Sequence, residues 1–403
     1  MDQTKREITG LEKSVVQEIL TAITSVIGEL DATLHEPYFD ERETVEVVKC
    51  LESGFVSSVG PTITQFEDMI CDFTNANYAI AVVNGTAALH LMLLATGIRD
   101  DDEVLVPAMT FVATGNAILH AKAIPHFVDS SADSLGVDTE ALEEYLCEVS
   151  EMRDGHCWNK KTNRWITHLL PVHVFGHIGD MVGLKELAQK FGLKIIEDAA
   201  EALGSRRSGC HAGLFGLCGS LSFNGNKIIT TGGGGAILTN DVKIADRVRY
   251  LATTAKLQHQ FEYYHTELAY NYRMPALNAA LGVAQLDRLD ALLSAKAQLS
   301  QAYKRAFDKS NYVKFFDCPT GSISNHWLNA ILLNENLASL KNDILHLLND
   351  AGFGCRPVWN LLSDLPYFRH FPKMPLTQST SLANRIINIP SSAQLLTGMP
   401  CDV

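Results

Sequence analysis

From about residue 60 to residue 240 the chain alternates short apolar runs with stretches of helical periodicity, and this alternation restricts its fold more than any other feature. The runs 78–83, 103–107, 124–128, 169–174, 194–197 and 235–239 read as strands. Helical patterns open at Gly85 and cover about 111–120, 138–148, 181–191 and 241–252. A helix between successive strands returns the chain to the same end of the sheet, which predicts parallel neighbours. The expected fold is therefore α/β, with a mostly parallel sheet, helices on both faces, and ligands at the carboxyl ends of the strands.

At 403 residues the chain can bury a large core and more than one hydrophobic unit. Its 46% hydrophobic and 20% charged residues describe a packed globular protein rather than a disordered one. A net charge of −13 argues against a general nucleic-acid binder, because neutralising phosphates needs clustered Lys and Arg. No run of about 18 apolar residues suits a membrane span. Residues 1–7 lead into mixed charge rather than a secretory apolar core. The nine cysteines are odd in number and show no CxxC spacing, so neither a zinc knuckle nor a disulfide framework is expected. A reducing cytoplasm is the expected compartment.

Outside the alternating region, residues 11–31 place Val15, Val16, Ile19, Leu20, Ile23, Val26, Ile27 and Leu30 at helical steps. This stripe should pack on the body or on a second subunit; the polar face with Glu12, Gln17 and Glu18 does not suit a membrane surface. Residues 149–167 are polar and read as an exposed insertion. A long helix over 276–307 leads into a mixed region with a strand-like run at 327–333 and a helix at 340–348. The expected division is a helical extension 1–34, a large domain 35–275 and a smaller α+β domain 276–403.

Five segments carry side chains suited to chemistry. The run Ser222-Phe223-Asn224-Gly225-Asn226-Lys227 sets a lysine between a hydroxyl-bearing segment and the glycines 232–235. Only a neutral amine attacks a carbonyl, so a Schiff-base lysine needs surroundings that lower its pKa. A solvated surface lysine is the other reading. At Asn84-Gly85-Thr86-Ala87 a strand turns into a helix whose free amides and dipole would cradle a phosphate, or which is simply capped. Phe111, just past a strand end, would stack on a planar ring or fill the core. The run Glu197-Asp198-Ala199-Ala200-Glu201 sets a carboxylate at the sheet edge, where it would keep a pyridine nitrogen protonated or cap a helix. Tyr270-Asn271-Tyr272-Arg273, alone, only leads into the long helix. The glycines do not form GxGxxG, and Lys227 has no P-loop context. His173 falls in an expected strand, where its four-residue spacing to His177 does not build a helical metal site.

Taken together and in order, these segments resemble the DegT-type family of sugar-nucleotide aminotransferases, over about residues 35–290. The likeness starts at Leu34-His35-Glu36-Pro37 and ends at Asn278-Ala279-Ala280-Leu281-Gly282. It implies the fold-type-I aminotransferase architecture and pyridoxal 5′-phosphate (PLP) as cofactor. In that reading Lys227 carries the cofactor and later shuttles the proton to sugar C4. Asp198 pairs with the pyridine nitrogen and Phe111 stacks on the ring. Thr86, the backbone of Gly85 and Ala87, and Ser222 hold the phosphate. Asn271 reaches the phosphate of the neighbouring subunit, which implies a homodimer with shared active sites. Many members carry Gln where this chain has Glu201, near the cofactor's phenolic oxygen. A carboxylate there would repel a phenolate unless protonated or turned away.

Phe55-Val56-Ser57-Ser58-Val59-Gly60, the Lys227 segment, Thr253-Thr254-Ala255-Lys256 and the insertion around Asn159-Lys160-Lys161 are similar to the legionaminic-acid and bacillosamine-type branch. That likeness implies amination of the 4-keto carbon of UDP-2-acetamido-2,6-dideoxy-hexos-4-ulose with L-glutamate as donor, with the insertion near the site mouth. A perosamine-type enzyme acting on the GDP sugar is the alternative. A PLP-dependent dehydratase on the same fold is disfavoured by Lys227, since those relatives usually carry His there. A PLP-binding regulator is disfavoured by Asp198, Lys227 and Asn271 occurring together, and a nicotinamide oxidoreductase by the missing glycine fingerprint. Arg273, His326, Trp327, Arg356 and Trp359 are candidates for anion or base contacts. No nucleic-acid, membrane or metal partner is expected.

Overall fold

The computed structural model describes residues 10–29 and 31–396; Leu30 of the expected stripe and Cys401 lie outside them. The helices are α1 (Gly10–Ile27), α2 (Glu41–Ser53), α3 (Pro61–Thr74), α4 (Gly85–Ala95), α5 (Val112–His120) and α6 (Thr139–Val149), followed by α7 (Met181–Phe191), α8 (Val242–Ala252), α9 (Ala276–Asp287), α10 (Leu289–Phe307), α11 (Lys341–Asp350) and α12 (Thr377–Ala383). The first strands are β1 (Tyr78–Val82), β2 (Glu103–Pro107), β3 (Ile124–Val128), β4 (Ser150–Arg153), β5 (His156–Asn159) and β6 (Arg164–Leu169). After them come β7 (Lys194–Asp198), β8 (Arg206–Arg207), β9 (Cys210–His211), β10 (Cys218–Ser222) and β11 (Gly235–Thr239). The C-terminal region adds β12 (Val313–Phe316), β13 (Ser322–Ile323), β14 (Asn329–Leu333), β15 (Arg356–Pro357) and β16 (Ile386–Ile389).

Among the described residues the main sheet has nine strands, running β1-β11-β10-β7-β6-β2-β3, with β5 and β4 branching from β6. The neighbours from β10 through β3 are parallel, as expected, and β11 alone on that path runs antiparallel to both strands beside it. Strand β10 was not foreseen as a strand. Its Gly219 lies so close to Gly213 that a β-carbon would sit 2.2 Å from the Gly213 α-carbon. That crowding leaves no apolar pattern to read. A smaller antiparallel sheet, β12-β14-β16-β15, forms the C-terminal part, and β13 pairs with β8 of the large part.

Helix α1 buries Val15, Val16, Ile19, Ile23 and Ile27 in the same apolar cluster as Leu299 and Tyr303 of α10 and Ile344 and Leu348 of α11. At roughly 2 kcal/mol per fully buried aliphatic side chain, this stripe binds α1 firmly to the body of its own chain. The expected helix 276–307 breaks at Arg288, whose φ of −106° and ψ of 3° leave the helical region. There the guanidinium lies 2.5 Å from Asp40 and 3.2 Å from Glu43.

Two expectations are corrected by the sheet. The strand predicted at 169–174 ends at Leu169, because Pro171 has no amide for the ladder, and Val174–Gly176 is a single 3-10 turn. Residues 149–167 are not a loose insertion at the site mouth. They fold into the hairpin β4–β5, turned at Asp154 and Gly155 with φ of 49° and 78°, and β5 pairs with β6. Cys157 pairs with Ile166, which in turn faces Glu103, the first residue of β2. The hairpin therefore extends the amino-terminal edge of the sheet, opposite the strand ends that carry the candidate site.

Candidate active site

Val82, Gly235 and Ser222 stand in register across β1, β11 and β10, and the chain after β1 turns directly into α4. Asn84 caps that helix, its side-chain oxygen accepting the Ala87 amide at 2.8 Å. The amides of Gly85 and Thr86 and the Ser222 hydroxyl have no protein partner among the described residues. Ala87 was expected to offer its amide to a phosphate, but the cap already occupies it. A β-carbon at Gly85 would lie 3.2 Å from the Ser222 β-carbon; one at Gly235 would lie 2.7–2.8 Å from the Asn84 carbonyl and the Gly85 amide. Small residues thus keep open a cradle of free donors at a helix N-terminus, which suits a phosphate.

At the end of β7, Glu197 and Asp198 point to opposite faces. Glu197 accepts from the amides of Gly213, Phe215 and Gly216 at 2.8, 2.6 and 2.7 Å and from His173 at 2.9 Å, so it fixes the loop before β10. His173 is thereby committed to a carboxylate. Asp198 is 5% exposed and accepts from the Thr114 hydroxyl at 2.8 Å, the Ala200 amide at 3.1 Å and the Ser220 hydroxyl at 3.3 Å. These bonds fix its direction.

Lys227 is anchored by its amide to the Asn224 carbonyl. Its Nζ lies 3.6 Å from Glu201 Oε1 and 3.9 Å from the centre of the Trp327 ring. The Trp327 indole N–H donates to the Asn226 carbonyl at 2.6 Å, and Asn325 donates to the carbonyls of Glu201 and Leu203 while accepting from the Trp327 amide. Glu201 is fully enclosed; burial pushes its pKa up to about 7, against the pull of Lys227 and of the Phe175 amide that Oε2 accepts at 2.9 Å. That bond holds Phe175 at φ 56°, a conformation costly for a bulky residue. Near neutral pH the raised pKa leaves Glu201 only partly ionised.

Phe111 stands at the N-cap of α5 with half its surface open, and its ring lies 6.3 Å from Trp359, which also touches Phe175 at 5.5 Å. Asn271 is exposed between stacked Tyr270 and Tyr272 and takes no part in the hydrogen bonds around Lys227. Arg273 is engaged with Glu67 at 2.6 Å, and Arg356 with Asn349 at 2.9 Å. Neither guanidinium enters the cluster. Two residues absent from the sequence-based set lie close by: Lys296, fully buried on α10, and His35, which feels the charge of Lys227.

An enclosed amine beside a carboxylate, a fixed strand-end aspartate, an open aromatic face and a cradle of free donors are the fittings of a PLP-dependent transferase. The sequence profile of the DegT/DnrJ/EryC1/StrS aminotransferase family matches residues 37–399, so the chain belongs to that family. It is 34% identical over 359 residues to the GDP-perosamine synthase of Vibrio cholerae, covering 89% of this chain and 93% of that one. It is 33% identical over 361 residues to the GDP-perosamine synthase of Caulobacter vibrioides, covering 89% and 92%. Among solved structures, a DegT DnrJ EryC1 StrS aminotransferase from Brucella abortus is similar with a TM-score of 0.79 and 28% identity, over 88% of this chain and 91% of that one. Helicobacter pylori PseC, an aminotransferase of pseudoaminic acid biosynthesis, shares the fold with a TM-score of 0.82 and 23% identity, over 91% and 95%. The protein is a PLP-dependent sugar-nucleotide aminotransferase. No helix among the described residues is long and apolar enough to cross a membrane.

Proposed function

We propose that the enzyme transfers the amino group of L-glutamate to C4 of UDP-2-acetamido-2,6-dideoxy-hexos-4-ulose, working as a homodimer with shared active sites. The observation that carries the catalytic reading is the enclosed Lys227 amine, 3.6 Å from a carboxyl whose pKa is raised to about 7. The branch-like segments around Phe55 and Thr253 support the UDP sugar. The likeness to GDP-perosamine synthases favours the GDP sugar as the second reading. Residues 35–275 would form the cofactor-binding domain and 276–403 the smaller one.

In this reading PLP, when bound, supplies an electron sink for the carbon that loses and regains a proton. Gly85, Thr86 and Ser222 hold its phosphate; Ala87 contributes by closing the first turn of α4. Asp198, steadied by Thr114, Ala200 and Ser220, keeps the ring nitrogen protonated. Phe111, half exposed, would pack against the cofactor ring. Lys227 would hold the cofactor, and its Nζ would move the proton to or from sugar C4. Trp327 limits where its Nζ can swing. Asn271, exposed and outside the hydrogen bonds around Lys227, would serve the phosphate of a second subunit. In the test, holoenzyme and glutamate are mixed with UDP- and GDP-linked 4-keto-6-deoxy sugars in parallel, and products are identified by mass and NMR. The expected product is the UDP-linked 4-amino sugar, and Lys227→Ala should form none. Amination of the GDP sugar alone would transfer the assignment to the second reading.

A further inference from the structure

His35 lies in a segment clamped on both sides, the Ser391 amide donating to the Leu34 carbonyl at 2.7 Å and the Glu36 amide to the Ser392 hydroxyl at 2.8 Å. Its backbone is fixed, yet both ring nitrogens are buried without a hydrogen-bond partner. Leaving such groups unpaired costs about 1–3 kcal/mol each, so a ligand or water that completes them is strongly favoured. Burial, then the charge of Lys296, then that of Lys227 hold the imidazole well below its usual pKa. It is therefore neutral, with one nitrogen donating and the other accepting. No carboxylate is among the charges acting on it. Lys296 spends its protons on the carbonyls of Trp327 at 3.1 Å and Ser391 at 2.5 Å. The Glu201 carboxyl beside Lys227 is occupied by the Phe175 amide. Two lysines and no carboxylate thus act on His35, and its ring N–H is left without an acceptor.

We propose that His35 is a substrate contact that selects the amino donor, its ring N–H receiving the α-carboxylate of an amino acid. Stereochemistry favours this anion over the phosphates of the sugar nucleotide. The donor nitrogen has to reach the place of the Lys227 amine, and the carboxylate carbon lies only roughly 2.5 Å from that nitrogen. The diphosphate of the other substrate is attached across the sugar ring from C4. The assignment rests on Lys227 being the reacting amine.

The test uses holoenzyme with His35→Phe and His35→Gln. The phenyl ring fills the same space without nitrogens, so His35→Phe should keep or raise the melting temperature. It should weaken binding of maleate, an unreactive dicarboxylate followed by calorimetry, at least tenfold and raise KM for glutamate by a similar factor. KM for the keto sugar should stay within twofold. His35→Gln, which keeps an N–H, should recover maleate affinity to within about threefold of wild type. Unchanged maleate affinity in His35→Phe overturns the proposal. So does equal weakening of both substrates with a lowered melting temperature, which marks a purely structural histidine. Lack of any glutamate half-reaction in the wild-type holoenzyme would instead refute the catalytic reading of Lys227, whatever maleate does.

Discussion

Lys296 is buried with two carbonyls and no carboxylate as its partners among the described residues, and it yields a quantitative prediction. Burial lowers its pKa from 10.5 to about 7 in the folded chain. At about 1.4 kcal/mol per pKa unit, the cost of keeping it charged below pH 7 is on the order of 5 kcal/mol. The folded-state pKa is depressed, so the folded chain binds fewer protons than the unfolded chain between about pH 7 and 10.5. Stability from this group is therefore present above the free-amine pKa and lost as the pH falls through about 7. Lys296→Met removes the titration but leaves the carbonyls of Trp327 and Ser391 without a donor, at about 1–3 kcal/mol each. The two effects nearly cancel at pH 7. Between pH 7.5 and 9.5 the wild type should gain on the variant by about 1 kcal/mol per pH unit. Urea unfolding of the cofactor-free enzyme, followed by circular dichroism at several pH values, measures the difference, and other titrating groups drop out of it. Wild-type and variant stabilities that move in parallel with pH would refute a buried, depressed Lys296.

Three further outcomes test other parts of the structure. Gly235→Ala should weaken PLP binding at least tenfold in absorbance titrations with the fold intact, because its β-carbon would meet the Asn84 carbonyl at 2.7–2.8 Å; unchanged affinity would show that this turn does not hold the cofactor. Glu201 behaves oppositely to Lys296: its raised pKa means stability present below about pH 4.5 and lost as the pH rises through about 7. In the cofactor-free protein Glu201→Gln should therefore gain on wild type by on the order of 3 kcal/mol between pH 5 and 8, read from melting temperatures. Arg288→Ala should cost roughly 3–5 kcal/mol by stranding Asp40 and Glu43, with Arg288→Lys milder; a loss below about 1 kcal/mol would show that the helix break needs no ion pair.

The strands were legible because burial on both faces makes them apolar runs, and most matched within a residue or two. Strand β10 was not, since Gly219 and Ser220 are there to fit Gly213 and Asp198 rather than to fill space. The hairpin β4–β5 shows the limit of composition: its polar residues announced exposure, while the end of the sheet it joins is a property of register. In the site, Lys227, Asp198, Gly85 and Ser222 could be named only because their segments occur together and in order as in a known family; each taken alone also reads as a surface charge, a cap or a packing residue. His35, Lys296 and Asn325 could not. A lysine on an amphipathic helix looks the same whether solvated or sealed beneath neighbouring chain, and only the packing of α10 under Ser391 and Trp327 tells them apart.

The position of the hairpin also divides the protein optically. Two of its four tryptophans, Trp158 and Trp165, touch at 4.8 Å on β5 and β6, at the amino-terminal edge of the sheet. Trp327 and Trp359 stand at Lys227 and Phe111. Intrinsic fluorescence thus comes from two separate places. A cofactor ring bound at the strand ends quenches the near pair and spares the distant one, which gives the folded enzyme an internal reference against which loading can be read in a single spectrum.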